Sequence, residues 1–221
     1  CGGAAVFFPE MSLTGYEPRL AEQLAMTADD VRLKVFQSLS DRHQILVAVG
    51  GPYRGKDGPE IGMYVFRNGQ ALAVYTKQML HADELPYFKA GTTPLSVTLG
   101  DEILVPAICF ESLQMESALR AKDVGATVYV ASVAKNMIGM ERAHSHYATV
   151  ARELGMIVLA CNGVGNADGF EMTGGSAAWD NSGALRCSAG TGDEALVVYD
   201  LAEQSGSTVT LPAMGTLGSA G

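Results

Sequence analysis

The sequence predicts an α/β domain with a mixed sheet, and three observations support this fold class. Short, strongly apolar runs alternate with segments of helical periodicity, which is the pattern of β–α units. Several of these runs are apolar on both faces, as strands are when other layers cover both sides of a sheet. Two of the runs are separated by Arg67-Asn68-Gly69-Gln70, and Asn-Gly is a strong hairpin signal. We therefore expect an antiparallel pair among parallel strands.

Eight strands are predicted, most of them rich in Val, Ile, Phe or Tyr and bounded by Gly, Asp or Asn. Their ranges are Ala4–Phe8, Ile45–Val49, Met63–Phe66, Leu72–Thr76, Ile103–Ile108, Thr127–Ala131, Ile157–Ala160 and Leu196–Tyr199. The segment after Gln204 is rich in glycine and small residues, and it is expected to pack loosely.

Three helices are predicted between the strands, each from apolar residues at helical spacing. The first starts at the capping-box pair Thr27 and Asp30, and the others cover about 112–122 and 142–154. The apolar stripe of the first helix consists of Val31, Val35 and Leu39.

Length, charge and cysteine usage limit the class of protein. The 221 residues are enough for one domain with a well-buried core, covering residues 1–221. The net charge of -9 argues against a nucleic-acid-binding protein, which normally carries a basic patch. No run approaches the roughly 18 apolar residues of a membrane span, and no signal peptide is visible. The four cysteines form no C-x-x-C pair and no zinc-type spacing, which favours free thiols in a reduced, cytoplasmic setting.

Cys109 is the first candidate for chemistry, because it ends the apolar run 103–108 and a helical pattern follows directly. A thiol at the turn into a helix N-terminus is near the positive end of the macrodipole, which favours the thiolate. The N–H of Phe110 would point into the same space, as oxyanion-hole donors do at such turns. The alternative interpretation is a buried, inert cysteine.

Glu10 and Lys77 also follow predicted strands. Sites in α/β proteins gather at the carboxyl ends of strands, so both residues are candidates for the crevice of Cys109. Taken singly, each has a simpler interpretation as a solvated loop acid or an exposed strand-end lysine. Lys135 and Asn136 follow the strand 127–131 and are candidate substrate-binding residues, or else ordinary loop residues.

Several short motifs occur in a characteristic order. They are Phe8-Pro9-Glu10, Leu13-Thr14-Gly15-Tyr16, Tyr75-x-Lys77-x-x-Leu80 and Ile108-Cys109-Phe110-Glu111, followed later by Asn162-x-x-Gly165, Gly174-Gly175-Ser176 and Asp180-Asn181-Ser182-Gly183. In this order and at these spacings they resemble the motifs of the nitrilase superfamily of carbon–nitrogen hydrolases. The resemblance extends over about residues 4–201.

This resemblance implies a four-layer α–β–β–α sandwich and an enzyme that hydrolyses a non-peptide carbon–nitrogen bond. It implies that Cys109 forms a thioester, that Glu10 is the base, and that Lys77 and the N–H of Phe110 stabilise the oxyanion. Glu84, in Asp83-Glu84-Leu85, resembles a second glutamate that supports Lys77. The implied substrate is a small amide, an ω-amide or an N-carbamoyl compound, and an amidase is favoured over a nitrilase. No metal or organic cofactor is implied, and members commonly pair into homodimers or form larger assemblies.

Members of the superfamily usually begin with a strand and a helix before the Phe-Pro-Glu segment. Only nine residues precede Glu10 here, so this unit is expected to be absent from the chain. That departure favours one alternative, a non-catalytic or truncated scaffold that keeps the fold. A second alternative is an acyltransferase that uses the same thioester. A third is a Cys–His hydrolase with His144 or His146 as the base, in which replacement of Glu10 would spare activity.

Overall fold

Two β-sheets stacked face to face form the centre of the computed structural model, which describes residues 3–192 and 194–211. The first sheet contains, in spatial order, β1 (Ala5–Phe7), β2 (Leu46–Arg54), β3 (Pro59–Phe66) and β4 (Ala73–Thr76). β1 is parallel to β2, whereas β2, β3 and β4 are antiparallel to their neighbours. The predicted hairpin at Asn68-Gly69 joins β3 to β4, and this prediction is confirmed.

The remaining strands form the second sheet and two hairpins. They are β5 (Val97–Leu99), β6 (Glu102–Ile108), β7 (Val128–Val133), β8 (Ile157–Asn162), β9 (Val164–Ala167), β10 (Phe170–Thr173), β11 (Ala177–Trp179), β12 (Leu185–Ser188), β13 (Ala195–Asp200) and β14 (Ser205–Thr210). The second sheet has the order β12-β11-β8-β7-β6-β5, with β6, β7 and β8 parallel. β9 pairs with β10, and β13 pairs with β14. All eight predicted strands are present within these elements.

The helices cover the outer faces of the two sheets. They are α1 (Ala21–Leu24), α2 (Lys34–His43), α3 (Met115–Asp123) and α4 (Met137–Leu154). α1 and α2 contact the first sheet, and α4 contacts β8 and β11 of the second sheet and also α3. The layer order is therefore α–β–β–α, as the resemblance implied. Within the described ranges no helix is both long and apolar enough to cross a membrane.

Strand β3 shows why the central runs are apolar on both faces. Ile61, Met63 and Val65 point into the cluster between the two sheets, while Tyr64 and Phe66 belong to the cluster beneath α2. Successive side chains of a strand point to opposite faces, so a sheet buried on both sides needs apolar residues at nearly every position.

All three predicted helices begin at other residues than predicted. The N-cap of the first is Asp30 rather than Thr27, since the Asp30 carboxylate accepts the N–H of Arg32. The third begins at Met137, five residues before Arg142, because the Asn136 side chain caps it. The stripe of the first helix faces solvent, with exposed fractions of 71%, 54% and 41% for Val31, Val35 and Leu39.

Two further expectations are wrong. The segment after Cys109 is not a continuous helix: a short 3-10 turn covers Glu111–Leu113, and α3 begins only at Met115. The tail does not pack loosely at first, because Ser205–Thr210 pairs with β13 along its whole length. Residues 212–221 lie outside the described residues.

Candidate active site

Glu10 lies in a tight loop after β1 that packs directly on β2. A β-carbon at Gly50 would lie 2.5 Å from the nitrogen of Met11 and 2.6 Å from the oxygen of Pro9, so only glycine permits this approach. The loop is also tied to β2 by a hydrogen bond from the N–H of Gly50 to the hydroxyl of Ser12. These contacts hold the carboxylate of Glu10 in the interior, where it is almost completely buried.

Lys77 directly follows β4 and meets Glu10 in the interior. Its Nζ lies 3.1 Å from Oε1 of Glu10 and 2.6 Å from Oε1 of Glu84. All three side chains are buried, so their charges are little screened by solvent. Although burial opposes the charge of the ammonium, the two carboxylates outweigh it and raise the pKa of Lys77.

The two glutamates differ in how their oxygens are used. Oε1 of Glu84 accepts hydrogen bonds from Lys77 and from the hydroxyl of Tyr16, and Oε2 accepts the N–H of His81. In contrast, the buried Oε2 of Glu10 has no hydrogen-bond partner in the described part of the chain. Burial raises the pKa of Glu10, the ammonium of Lys77 opposes this rise, and the charge of Glu84 adds to it. Glu10 is therefore the carboxylate with an oxygen available for proton transfer.

Cys109 stands at a sharp elbow after β6. Its φ of 46° lies in the left-handed region, which is unfavourable for a residue other than glycine. Three bonds hold this conformation: its N–H donates to the oxygen of Ser132, and its own oxygen accepts both the N–H and the hydroxyl of Ser112. Since that hydroxyl donates to Cys109, the hydroxyl of Tyr147 at 2.7 Å donates to Ser112.

The predicted stabilisation of a thiolate is wrong for the free site. Burial raises the pKa of Cys109 to about 11, the charge of Glu10 adds to this rise, and the ammonium of Lys77 opposes it. The helix whose macrodipole was expected to help begins only at Met115. The raised pKa favours the protonated thiol, so a reaction at Cys109 calls for a base.

A pocket of about 540 Å³ opens above the thiol. Among the predicted site residues, Glu84, Cys109, Phe110 and Lys135 line it. Asn136 is not part of the lining, because its side chain accepts the N–H of Gly139 at the start of α4. Glu10 and Lys77 lie in the interior beside the thiol, where they influence its pKa.

The histidines of the alternative hypothesis are not part of this pocket lining. Nε2 of His144 lies 2.8 Å from the oxygen of Gly175, and its ring packs on Trp179. His146 packs against Tyr147 on α4. Within residues 3–192 and 194–211 no three His, Cys, Asp or Glu side chains are grouped so that they could hold a metal ion.

The sequence profile of the carbon–nitrogen hydrolase family matches residues 4–209. The chain belongs to this family. Its structure is similar to that of an amidase from Nesterenkonia sp. AN1, with a TM-score of 0.77 and 20% identity over 96% of this chain and 79% of that one. It is also similar to Saccharomyces cerevisiae Nit3, a member of branch 10 of the nitrilase superfamily, with a TM-score of 0.78 and 18% identity over 86% and 73% of the two chains. No curated protein sequence matches the chain.

Sequence reasoning missed the side chains of the carbon–nitrogen hydrolase that connect the motifs. Asn162 donates to the oxygens of Lys135 and Gly174 and accepts the N–H of Lys135, so it fixes the loop beside the thiol. Glu111 and Ser132 bind backbone groups on both sheets. The only signals in the sequence were a polar residue inside an apolar run and the place of Asn162 and Glu111 within quoted motifs.

Proposed function

We propose that this chain hydrolyses the carbon–nitrogen bond of a small amide through a thioester on Cys109. Glu10 is the base, Glu84 holds Lys77, and Lys77 and the N–H of Phe110 stabilise the oxyanion. One observation carries the assignment of the base. Both oxygens of Glu84 are engaged, while the buried Oε2 of Glu10 has no partner in the described residues.

Acylation begins when ionised Glu10 accepts the thiol proton as the sulfur of Cys109 attacks the carbonyl carbon. An ammonium has three N–H donors, and Glu10 and Glu84 engage two of those of Lys77, which leaves one for the oxyanion. A donor of this kind contributes roughly 2.7–4 kcal/mol in comparable sites. The carbon–nitrogen bond then breaks as Glu10 passes the proton to the leaving nitrogen, and ammonia or an amine departs.

Deacylation uses the same groups in reverse. A water molecule attacks the thioester carbonyl while Glu10 takes one of its protons. The tetrahedral anion again faces Lys77, and its collapse releases the carboxylic acid as the proton returns to the sulfur. The protons in these steps move between water, the substrate and the side chains of Glu10 and Cys109, while Lys77 and the backbone N–H of Phe110 stabilise the anions. The related amidase from Nesterenkonia sp. AN1 supports covalent chemistry, since a variant shows addition of the acetamide moiety of fluoroacetamide at its active site cysteine.

Intact-mass spectrometry tests this proposal directly. The protein is incubated with short amides and, separately, with iodoacetamide, and is compared with Glu10→Gln, Cys109→Ala and the control Cys161→Ala. We expect Glu10→Gln to form no acyl adduct with amides and to lose turnover, because both the attack of the thiol and deacylation lack their base. We expect Cys109→Ala to lose the adduct and the turnover, and Cys161→Ala to keep both. Turnover that survives in Cys109→Ala would refute the thioester mechanism, and turnover that survives in Glu10→Gln would favour a histidine base.

The charges of the pocket favour the ω-amide among the candidate substrates. Lys135 and Arg142 both line it, and neither lies within 4.0 Å of a carboxylate in the described residues. Two further acids belong to the lining: Asp83, whose carboxylate contacts the ring of His81, and Asp168. A carboxylate at the far end of an acyl chain would pair with either cation, whereas a neutral amide would leave both in water.

A pair of substrates of equal length tests this preference, for example butyramide and the half-amide of a four-carbon dicarboxylic acid. Arg142→Gln is expected to raise KM for the half-amide about 5- to 10-fold, equivalent to roughly 1 kcal/mol, and to leave butyramide unchanged. Asp168→Asn serves as the control of opposite charge and is expected to lower KM for the half-amide. Equal effects on the two substrates would refute the preference without touching the thioester mechanism.

Assembly and location stay predictions. Pairing into homodimers or larger homo-oligomers and a cytoplasmic setting both come from the resemblance and from cysteine usage. Light scattering on the eluting protein measures the first, and a mass near 23.2 kDa would contradict it. The redox state of Cys109, Cys161 and Cys187 in freshly lysed cells bears on the second, because free thiols are expected in a reducing compartment.

A further inference from the structure

Glu111 is a buried carboxylate that the proposed mechanism does not use. It follows Cys109 by two residues on the second sheet's side of the site and is almost completely shielded from solvent. Oε1 accepts the N–H of Ile108 at 2.7 Å and the hydroxyl of Tyr75 at 2.7 Å. Oε2 accepts the N–H groups of Gln78 at 2.7 Å and Met79 at 3.1 Å. Three of the partners are backbone N–H groups and the fourth is a hydroxyl that donates here, so the arrangement suits an ionised carboxylate, and these bonds oppose the rise in the pKa of Glu111 that burial causes.

The positions of these donors connect two catalytic segments. Ile108 immediately precedes Cys109 on β6 of the second sheet. Gln78 and Met79 immediately follow Lys77, at the end of β4 of the first sheet. A single side chain therefore holds both the elbow of the nucleophile and the turn that carries the ammonium.

We propose that Glu111 is a positioning residue, which sets the placement of Lys77 relative to Cys109 by binding the backbone beside each of them. This inference rests on the proposed function, because it matters for catalysis only if these two residues react together. Its effect on the pKa of Cys109 can be measured without any substrate. The ammonium of Lys77 lowers the pKa of Cys109, so a displaced Lys77 makes the thiol less acidic.

Three substitutions separate the effect of the length of the Glu111 side chain, the effect of its charge, and a general loss of stability. Glu111→Gln keeps the size of the side chain but replaces one carboxylate oxygen by an NH2 group. That group cannot accept the two hydrogen bonds that the oxygen accepted, so at least one hydrogen bond is lost. Glu111→Asp keeps the charge, but it is one methylene shorter and cannot span both segments. Glu116→Gln is the matched control, because Glu116 lies on α3 and its one ion pair among the described residues is with exposed Arg120.

The rate of alkylation of Cys109 by iodoacetamide, followed on its peptide from pH 7 to 9.5, reports the thiolate fraction without a substrate. A pKa higher by one unit lowers this fraction about tenfold in that range. We expect alkylation at least roughly threefold slower at every pH in Glu111→Gln and Glu111→Asp, with no change in Glu116→Gln. For amide hydrolysis we expect a lower kcat with KM changed little, because the pocket lining stays in place.

Unchanged alkylation in folded Glu111→Gln and Glu111→Asp would overturn the proposal and leave Glu111 as a purely structural residue. Should both variants fail to fold, Tyr75→Phe removes one of the four donors and decides the matter. Slower alkylation in that variant supports the proposal, and a wild-type rate overturns it. Failure of the proposed function is recognised separately, by amide turnover that persists in Cys109→Ala, and it would leave the alkylation result intact.

Discussion

Replacement of Lys77 by methionine is expected to destabilise the protein strongly and in a pH-dependent manner. The ammonium lies between two buried carboxylates, at 3.1 Å from Glu10 and 2.6 Å from Glu84. Methionine keeps the length and volume of the stem, so the change removes mainly the charge. Breaking a buried ion pair by removing one partner costs about 3–5 kcal/mol of unfolding free energy. For a chain of this size that corresponds to a fall in Tm of roughly 6–20 °C.

The pH dependence has a definite sign. Burial already raises the pKa of Glu10, and Lys77 opposes that rise, so the pKa in the variant is higher still. A carboxyl group with a raised pKa in the folded state favours folding below its unfolded value, and this contribution is lost as pH rises through the folded pKa. The stability deficit of Lys77→Met should therefore be largest near pH 8 and should shrink toward pH 5.

Urea unfolding followed by circular dichroism at pH 5 and pH 8 measures the deficit. Lys135→Met is the matched control, since Lys135 lines the pocket without a carboxylate within 4.0 Å in the described ranges, and a change below about 1 kcal/mol is expected. The double variant Lys77→Met/Glu10→Gln should regain stability at pH 8, because one buried charge is removed. A deficit equal to that of Lys135→Met, or one that does not vary with pH, would refute the buried ion cluster.

Three further outcomes follow from the site. Gly50→Ala brings a methyl group within 2.6 Å of the backbone beside Glu10, so we expect a lower Tm and a kcat reduced more than tenfold. A wild-type Tm together with a wild-type kcat would contradict this close packing. Ser112→Ala removes the hydroxyl that holds the oxygen of Cys109, and calorimetry is expected to show a loss of about 1–3 kcal/mol together with slower turnover. The acidic limb of the kcat/KM profile should lie above pH 4.5, because Glu10 must be ionised to accept a proton and burial raises its pKa; a limb at or below that value would argue against Glu10 as the base.

Much of the sheet could be predicted because the strands are buried on both faces. Such strands are uniformly apolar over four to eight residues, and an apolar run of this length can be recognised without knowing which strands pair with it. The short strands β5, β9 and β14 lack it. β14, for example, consists largely of Ser, Gly and Thr and is defined only by its pairing with β13.

Periodicity predicted the first helix but not the face that packs. Leu33 and Phe36 face the first sheet, while the more regular stripe that begins at Val31 is exposed. Helical spacing indicates which residues share a face, but it does not indicate which face is buried in the tertiary structure. The start of α4 was missed because its cap, Asn136, looks like any loop residue in the sequence.

The three residues Glu10, Lys77 and Cys109 could be predicted from motif order, and the structure brings them together. Their connections could not. Tyr16 and Glu84 are 68 positions apart, and Tyr75 and Glu111 are 36 apart. Hydrogen bonds at such separations leave no local pattern, since a tyrosine or a glutamate has the same sequence context whether or not it finds a distant partner.

The proposed catalytic residues are divided between the two sheets, with Glu10 and Lys77 after strands of the first and Cys109 after a strand of the second. Apolar side chains fill the layer that separates them, so the distance from sulfur to carboxylate is set by the thickness of that layer. The rate of the proposed hydrolysis therefore depends on the spacing between the two sheets. At low denaturant concentration or under moderate pressure, turnover should therefore decrease before any strand unfolds. A bulkier or smaller residue at Met63 or Val65 should lower kcat while the protein still unfolds in one cooperative transition.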